Sequence, residues 1–507
     1  MGIFFSIIFY LNFICIIFVL FFERNEDSRR MAWILTMVFL PGIGMVLYIL
    51  LSGHFFTRTR QLEKIMSHAT NINKKYLDAQ LNFLKSNKNL LKNPSLTDNI
   101  QLLEMNLSKN YSLLTSTETI KVYCWGQDML ADLKQDLLSA KESIHIESFI
   151  IHNDKTGQEV MDILCKKAKE GISVKLLYDD VGSILTPTRF FRKLDQAGGV
   201  SLAFFPVRWR LPLSINFRNH RKITIIDGKI AYTGGMNIGD EYANCSKNKR
   251  KPLWRDTHVR LTGSSVLSLQ INFLIDWFTT PAWKTRIRKL TDLQKYFSSS
   301  VFAPIQERLE LPIQESFSKH FIFDKNIPTQ IVTGGPDNLC QAEIREALIR
   351  IISNAKEYVY IQTPYFTPDL QFISALKTAI FSGVDIKIMV PDKWDKFYVQ
   401  AASYEFIREM LDLGIEFYHY NGFIHSKTLV SDDKITTIGS TNIDTRSFEL
   451  HFETNVVFYD KNFAIKNKEI FIEDMKNSRQ TEKKWFDSKN IIKRAWWAFC
   501  KLFSPLM

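Results

Sequence analysis

The stretch His220-Arg-Lys222-Ile-Thr-Ile-Ile-Asp227-Gly-Lys-Ile-Ala-Tyr-Thr-Gly234-Gly235-Met-Asn237 returns later in the chain as His425-Ser-Lys427-Thr-Leu-Val-Ser-Asp432, continuing to Gly439-Ser440-Thr-Asn442. Both copies obey one spacing, H-x-K-x4-D-x6-G-[GS]-x-N. Each residue type is used at only a few per cent in average proteins, so a chance double match is rarer than roughly one in a million. Alternation in Ile223-Thr-Ile-Ile226, a turn at Asp227-Gly228 and a returning apolar run describe a β-hairpin. His220 and Lys222 are two apart on one strand and share a face. In the second copy Ser431-Asp-Asp-Lys434 reads as a looser turn, and His425 and Lys427 again share a face.

Working outward, the segments before each hairpin also repeat. The β-run Glu142–Ile151, a helical pattern Gly157–Glu170 and the strand Ile172–Tyr178 correspond to Glu357–Phe366, Leu370–Phe381 and Val384–Val390. Each copy then offers a helix, Arg189–Gln196 or Ser403–Leu413, and a short strand, Ser201–Phe205 or Ile415–Tyr420. Strands alternating with helices imply an α/β fold with sheets covered on both faces. The boundaries that follow are 54–115 for a polar connector, 116–310 for the first repeat and 311–507 for the second.

The duplicated residues suit a phosphodiester. Charge grows on its oxygens during displacement, and two lysines with the amides of Asn237 and Asn442 can clamp them. One histidine must be neutral to attack phosphorus and the other protonated to release the leaving alcohol. Carboxylates fix such tautomers and support the cationic form. Asp256, in Trp-Arg-Asp-Thr-His, and Glu453, in Glu-Leu-His-Phe-Glu, are the candidates, with Asp256 expected on His220 and Glu453 on His425. No metal or cofactor is needed. A zinc site is disfavoured because no Cys or His pair has ligand spacing.

These residues resemble the paired HKD motifs of the phospholipase D superfamily over about residues 120–480. The apolar N-terminus, Glu449-Leu-His-Phe-Glu453 and the terminal Ser504-Pro-Leu-Met507 narrow the resemblance to the bacterial cardiolipin synthases. It implies two pseudo-symmetric phospholipase D-like domains, layered α/β/α sandwiches with one site at their interface. It also implies phosphatidyl transfer between two phosphatidylglycerols, giving cardiolipin and glycerol through a phosphohistidine. Hydrolysis, another donor or acceptor, a tethered nuclease and a non-catalytic lipid scaffold are the alternatives. The motif residues His220, Lys222, Asp227, His425, Lys427 and Asp432 carry the catalytic signature, although the turn position of the two aspartates points to a structural role. Two-domain relatives suggest His220 as nucleophile and His425 as acid. Ser440 would add a hydroxyl to the phosphate on one side, where the first copy has only Gly235.

A chain of 507 residues, 46% hydrophobic, is large enough for a substantial core, which excludes disorder and a disulfide-stapled mini-fold. A net charge of +12 favours anionic partners, here anionic phospholipid and the bilayer rather than nucleic acid. Residues 2–22 and 31–53 are apolar runs long enough to span a membrane, joined by the charged segment 23–30, and read as a transmembrane hairpin. A cleaved signal peptide lacks its basic start and small-residue cleavage site. The arginines flanking the spans leave orientation tied. Six cysteines without any C-x-x-C pair read as reduced thiols and place the catalytic region in the cytoplasm. Eight histidines outside the motif, His451 among them, read as structural. Lys247-Asn-Lys-Arg-Lys251 is a solvated run or a lipid contact, and Ile491–Phe503 is an amphipathic segment for the membrane interface or for packing.

Overall fold

The computed structural model describes residues 2–22, 27–51, 77–82, 84–85, 93–207, 217–245, 253–280, 326–336 and 342–506. The basic run at 247–251 and the boundary at 310/311 lie outside these residues.

The repeat read in the sequence is the frame of the fold. In the first half Ser143–Ser148 pairs in parallel with Ser173–Asp179, which pairs in parallel with Val200–Phe204. The hairpin Lys222–Ile226 and Ile230–Gly234 joins the other edge of Ser143–Ser148 antiparallel and is followed by His258–Gly263 and Leu114–Tyr123. The second half repeats this order with Glu416–Tyr420, Asp385–Pro391, Tyr358–Gln362, the hairpin Thr428–Ser431 and Ile435–Gly439, His451–Phe458 and Ile327–Gly334. Leu114–Tyr123 and Ile327–Gly334 pair with each other antiparallel, which fuses the halves into one sheet, sixteen-stranded among the described residues.

Local chemistry explains the elements. Asp154 caps the helix Lys155–Lys169 by accepting from the Gly157 amide, and Asp369 caps Leu370–Phe381 through the Phe372 amide. Both hairpins turn through two residues of positive φ, Asp227 (52°) with Gly228 (62°) and Asp432 with Asp433 (53° each). The second turn is therefore as tight as the first, because aspartate tolerates the left-handed region well enough to stand where glycine stands in the first copy.

Each half has its own main apolar core, and another core joins them. It brings Ile223, Val259 and the helix Ser265–Thr279 together with Ile438, Phe452 and Val456 of the second half. Leu96, Leu102, Leu103 and Leu107, from the segment read as a connector, are buried in the second half's core. Its leucines recur at helical spacing on Ile100–Ser108 and give that helix a face to bury.

At the N-terminus α1 (Gly2–Phe22) carries no charge, α2 spans Asp27–Phe39 and α3 spans Ile43–Leu51. Among the described residues no helix is long and apolar enough to cross a membrane. The second expected span is divided at Leu40-Pro41-Gly42, where proline and a positive-φ glycine interrupt the helix. A complete hairpin of two spans is therefore not shown. Val19, Trp33, Met37 and Tyr48 pack together and Leu506 packs against them, so the C-terminal Ser-Pro-Leu closes over these helices. Arg29 of α2 reaches Glu449 at 3.0 Å. The C-terminal helix Ile491–Leu502 buries Trp497 and Cys500 while Ile491, Ile492, Trp496, Phe499 and Leu502 remain exposed. It packs and presents an apolar face at once.

Candidate active site

Residues just before and just after each hairpin line one cavity of about 640 Å³. His220, His425, Asn237 and Asn442 all line it, so the two copies of the motif converge. Lys222 and Lys427 are buried, and each donates its ammonium group to the carbonyl of its own histidine.

The carboxylates are paired across the halves. His220 Nδ1 lies 2.9 Å from Glu453 Oε1, and His425 Nδ1 lies 2.7 Å from Asp256 Oδ2. The expected pairing of Asp256 with His220 and Glu453 with His425 is thus reversed. The backbone shows why. Arg218–Asn219, just before His220, pairs in parallel with His451–Phe452, and Phe423–Ile424, just before His425, pairs in parallel with Trp254–Arg255. The His220 amide donates to the Phe452 carbonyl at 2.9 Å and the His425 amide to that of Arg255 at 2.7 Å. Each motif is therefore stitched to the strand that carries the other half's acid.

Two arginines brace this exchange. Arg221 donates to the Glu453 carbonyl at 3.2 Å and pairs with Asp276, while Arg255 donates to the Asp256 carbonyl at 2.7 Å and pairs with Asp474 at 2.6 Å. Sequence reasoning passed over both, Arg221 as the variable position of His-x-Lys.

The other motif residues also have defined places. Asp227 accepts from the amides of Lys141, Glu142 and Ser143 at 2.7–2.8 Å, and Asp432 from those of Lys356, Glu357 and Tyr358 at 2.8–3.0 Å. Both hold the start of a neighbouring strand, which is the structural role their turn position suggested. Ser440, expected on the phosphate, instead donates its hydroxyl to Glu453 Oε2 and is fully buried. At the equivalent Gly235 a Cβ would lie 2.1 Å from Asp256 Oδ1. The glycine leaves room for the shorter acid, whereas the serine supports the longer one. Asn237 is anchored, accepting from the Ile150 amide at 3.1 Å and donating to the Tyr242 hydroxyl at 2.7 Å. The Asn442 side-chain oxygen is buried without a partner among the described residues.

Burial, with the charges of Lys222 and Lys427, pushes His220 well below the usual imidazole range. Burial and Lys427 lower His425 as well, but Asp256 works against them. Burial alone would raise Asp256; the charges of His425 and Lys427 outweigh it and hold this carboxyl low. Burial lowers Lys222 to about 7, opposed by Glu453, and Lys427 to about 8, opposed by Asp256.

Around this symmetric frame the walls differ. Aligning the two motifs sets Arg218 against Phe423 and Arg446 against Glu241, and aligning the acids sets His451 against Trp254. All six line the cavity. His451 stands 5.7 Å from His220 between ring centroids, and both its ring nitrogens lack a hydrogen-bond partner among the described residues. It is therefore a pocket residue and not the structural histidine expected. The signal was its position two before Glu453 on one strand, which gives it the acid's face. Trp254 and Phe423 ring centroids lie 5.3 and 5.7 Å from that of His425.

Residues 133–249 and 348–475 match the family model described as cardiolipin synthase, PLD-like domain, and residues 11–53 match the phospholipase D-nuclease N-terminal model. The chain is 37% identical to cardiolipin synthase 2 of Staphylococcus epidermidis, over 98% of this chain and 96% of that one. It is 36% identical to the major cardiolipin synthase ClsA of Bacillus subtilis, over 99% and 98%. Among solved structures it shares the fold of phosphatidylserine synthase from Haemophilus influenzae, with a TM-score of 0.59 at 13% identity, over 80% of this chain and 100% of that one. The duplicated site and the full-length likeness agree: the chain belongs to the cardiolipin synthase family of phospholipase D-like proteins.

Proposed function

We propose that the protein transfers the phosphatidyl group of one phosphatidylglycerol to the hydroxyl of a second, giving cardiolipin and glycerol. The observation that carries this reading is the pair of histidines, each held by the acid of the other half, on one cavity. Two acid-held imidazoles facing one phosphate give a nucleophile and a proton donor without further groups.

His220 is the nucleophile. Its Nδ1 is on Glu453, so Nε2 is the atom left to attack phosphorus. The cations Arg218 and Arg446 share the cavity with it and disfavour an imidazolium there. His425 is the acid. The rings of Trp254 and Phe423 lie beside it, and aromatic faces favour a cation, as does its ionised partner Asp256. As the His220–phosphorus bond forms, the bond to the glycerol oxygen breaks, and that oxygen takes the proton from His425. In the second step His425 removes the proton from the incoming hydroxyl, whose oxygen displaces His220. Lys222, Lys427 and the amides of Asn237 and Asn442 hold the phosphoryl oxygens through both displacements.

The bilayer supplies both lipids. α1 exposes Phe9, Tyr10, Phe13 and Phe21, and the C-terminal helix exposes Trp496 and Phe499, surfaces suited to lipid. We place α1–α3 in the membrane with the catalytic halves on the cytoplasmic side, the side that keeps the five described cysteines, all free, reduced.

The test is to incubate the detergent-solubilised protein and its His220→Ala and His425→Ala variants with phosphatidylglycerol and follow cardiolipin and glycerol. Equal release of both, lost in each variant, supports the reading. Phosphatidic acid as sole product would make the enzyme a hydrolase.

A further inference from the structure

The cavity wall carries the cations Arg218, Lys393, Lys396 and Arg446 beside the acids Glu241, Asp395 and Asp444. Lys222 and Lys427 serve the reacting phosphate, yet Arg218 and Arg446 also line the wall. Neither arginine belongs to the duplicated frame, since Phe423 and Glu241 hold the equivalent positions. What breaks the symmetry of the site must recognise something that is itself asymmetric. In the proposed reaction that is the acceptor, whose own phosphodiester enters, is left intact and leaves in the product.

We infer that Arg218 and Arg446 bind the non-reacting phosphodiester of the acceptor phosphatidylglycerol; this rests on the transferase reading above. Arg218 is buried, with Nη1 3.3 Å from Asp179 Oδ1, so its guanidinium is fixed in direction. Arg446 lies on the short helix Thr445–Glu449, whose last residue pairs with Arg29 of α2. That helix therefore sits between the cavity and the apolar N-terminal helices, where a lipid's phosphate lies between headgroup and tails. Burial lowers Arg446, with Asp444 opposing it and Arg218 adding to it, and an anion received by the two guanidinium groups lining this one cavity would offset that repulsion. In-line displacement brings the acceptor hydroxyl to the His425 face of the phosphohistidine. The three-carbon glycerol linking that hydroxyl to its own phosphate lets the phosphate reach the opposite wall. Free glycerol, also an acceptor in the reverse direction of the first step, has no phosphate to bind.

The experiment compares these two acceptors in one tube. The full-length protein receives phosphatidylglycerol and labelled glycerol, and both cardiolipin and labelled phosphatidylglycerol are measured. In Arg446→Gln, and independently in Arg218→Gln, the ratio of cardiolipin formed to glycerol exchanged should fall by about tenfold or more, the worth of a charge-assisted hydrogen bond. Arg446→Lys, which keeps the charge, should recover part of the ratio and guards against a variant that fails to fold. An unchanged ratio in folded variants, checked by thermal unfolding, would overturn the subsite. Wild-type protein that forms neither product would instead overturn the transferase reading, and the subsite with it.

Discussion

His220 of the first half is held by Glu453 of the second at 2.9 Å, and this contact has its mirror in His425 and Asp256 at 2.7 Å. Neither motif histidine is held by an acid of its own half, so the paired site is complete only where the halves meet.

If these acids set tautomer and charge, isosteric Glu453→Gln and Asp256→Asn should lower kcat by on the order of 10²- to 10⁴-fold. Steady-state kinetics beside thermal unfolding measure this. Folded variants with near-normal turnover would show that the cross-half contacts are structural only.

Gly235 makes a sharper test of the same geometry. A methyl group there meets the Asp256 carboxylate at 2.1 Å and must push it off His425. Gly235→Ala should cost about a hundredfold in activity, as expected for a small misplacement of a catalytic group. The equivalent Ser440→Ala removes a hydroxyl donor from Glu453 and should cost less, because no group is displaced. Activity ratios of the two variants decide it.

The motif aspartates should separate stability from chemistry. Asp432 accepts three backbone amides at a left-handed turn. Asp432→Ala loses both features and should destabilise the fold by about 1–3 kcal/mol, with normal turnover per folded molecule. Denaturant unfolding and active-site titration check the two parts.

The pH profile follows from the lysines. In the proposed mechanism Lys222, near 7, and Lys427, near 8, hold the phosphoryl oxygens as cations, so kcat/KM should fall as pH rises through 7 to 8. Both values lie below the ordinary 10.5. Between them and 10.5 the unfolded chain binds more protons than the folded one, so the lysines' contribution to stability rises with pH as activity falls. Thermal unfolding should show a smaller rise in Lys222→Met.

Most of this frame was legible because a duplicated pattern reports on itself. Periodicity placed Leu370–Phe381 at its observed bounds and four strands to within one residue, while the runs Glu142–Ile151 and Glu357–Phe366 were read three and four residues past the ends of Ser143–Ser148 and Tyr358–Gln362; the spacing marked His220, Lys222, His425 and Lys427. What the sequence could not show is which half supplies which acid. Proximity along the chain favoured Asp256 for His220, but the parallel bridges Arg218–Asn219 to His451–Phe452 and Phe423–Ile424 to Trp254–Arg255 are tertiary. Ser440 faced the acid for the same reason. His451 was passed over because a lone histidine on a strand has no local signature, and the leucines of Ile100–Ser108 because their core belongs to distant residues.

The most direct test of the account is to react the protein with phosphatidylglycerol labelled in its phosphate, quench within one turnover and locate the acid-labile label by peptide mapping. The label is predicted on His220 in the wild type and to be absent from His220→Ala. Label on His425, or no covalent label while cardiolipin still forms, would contradict it.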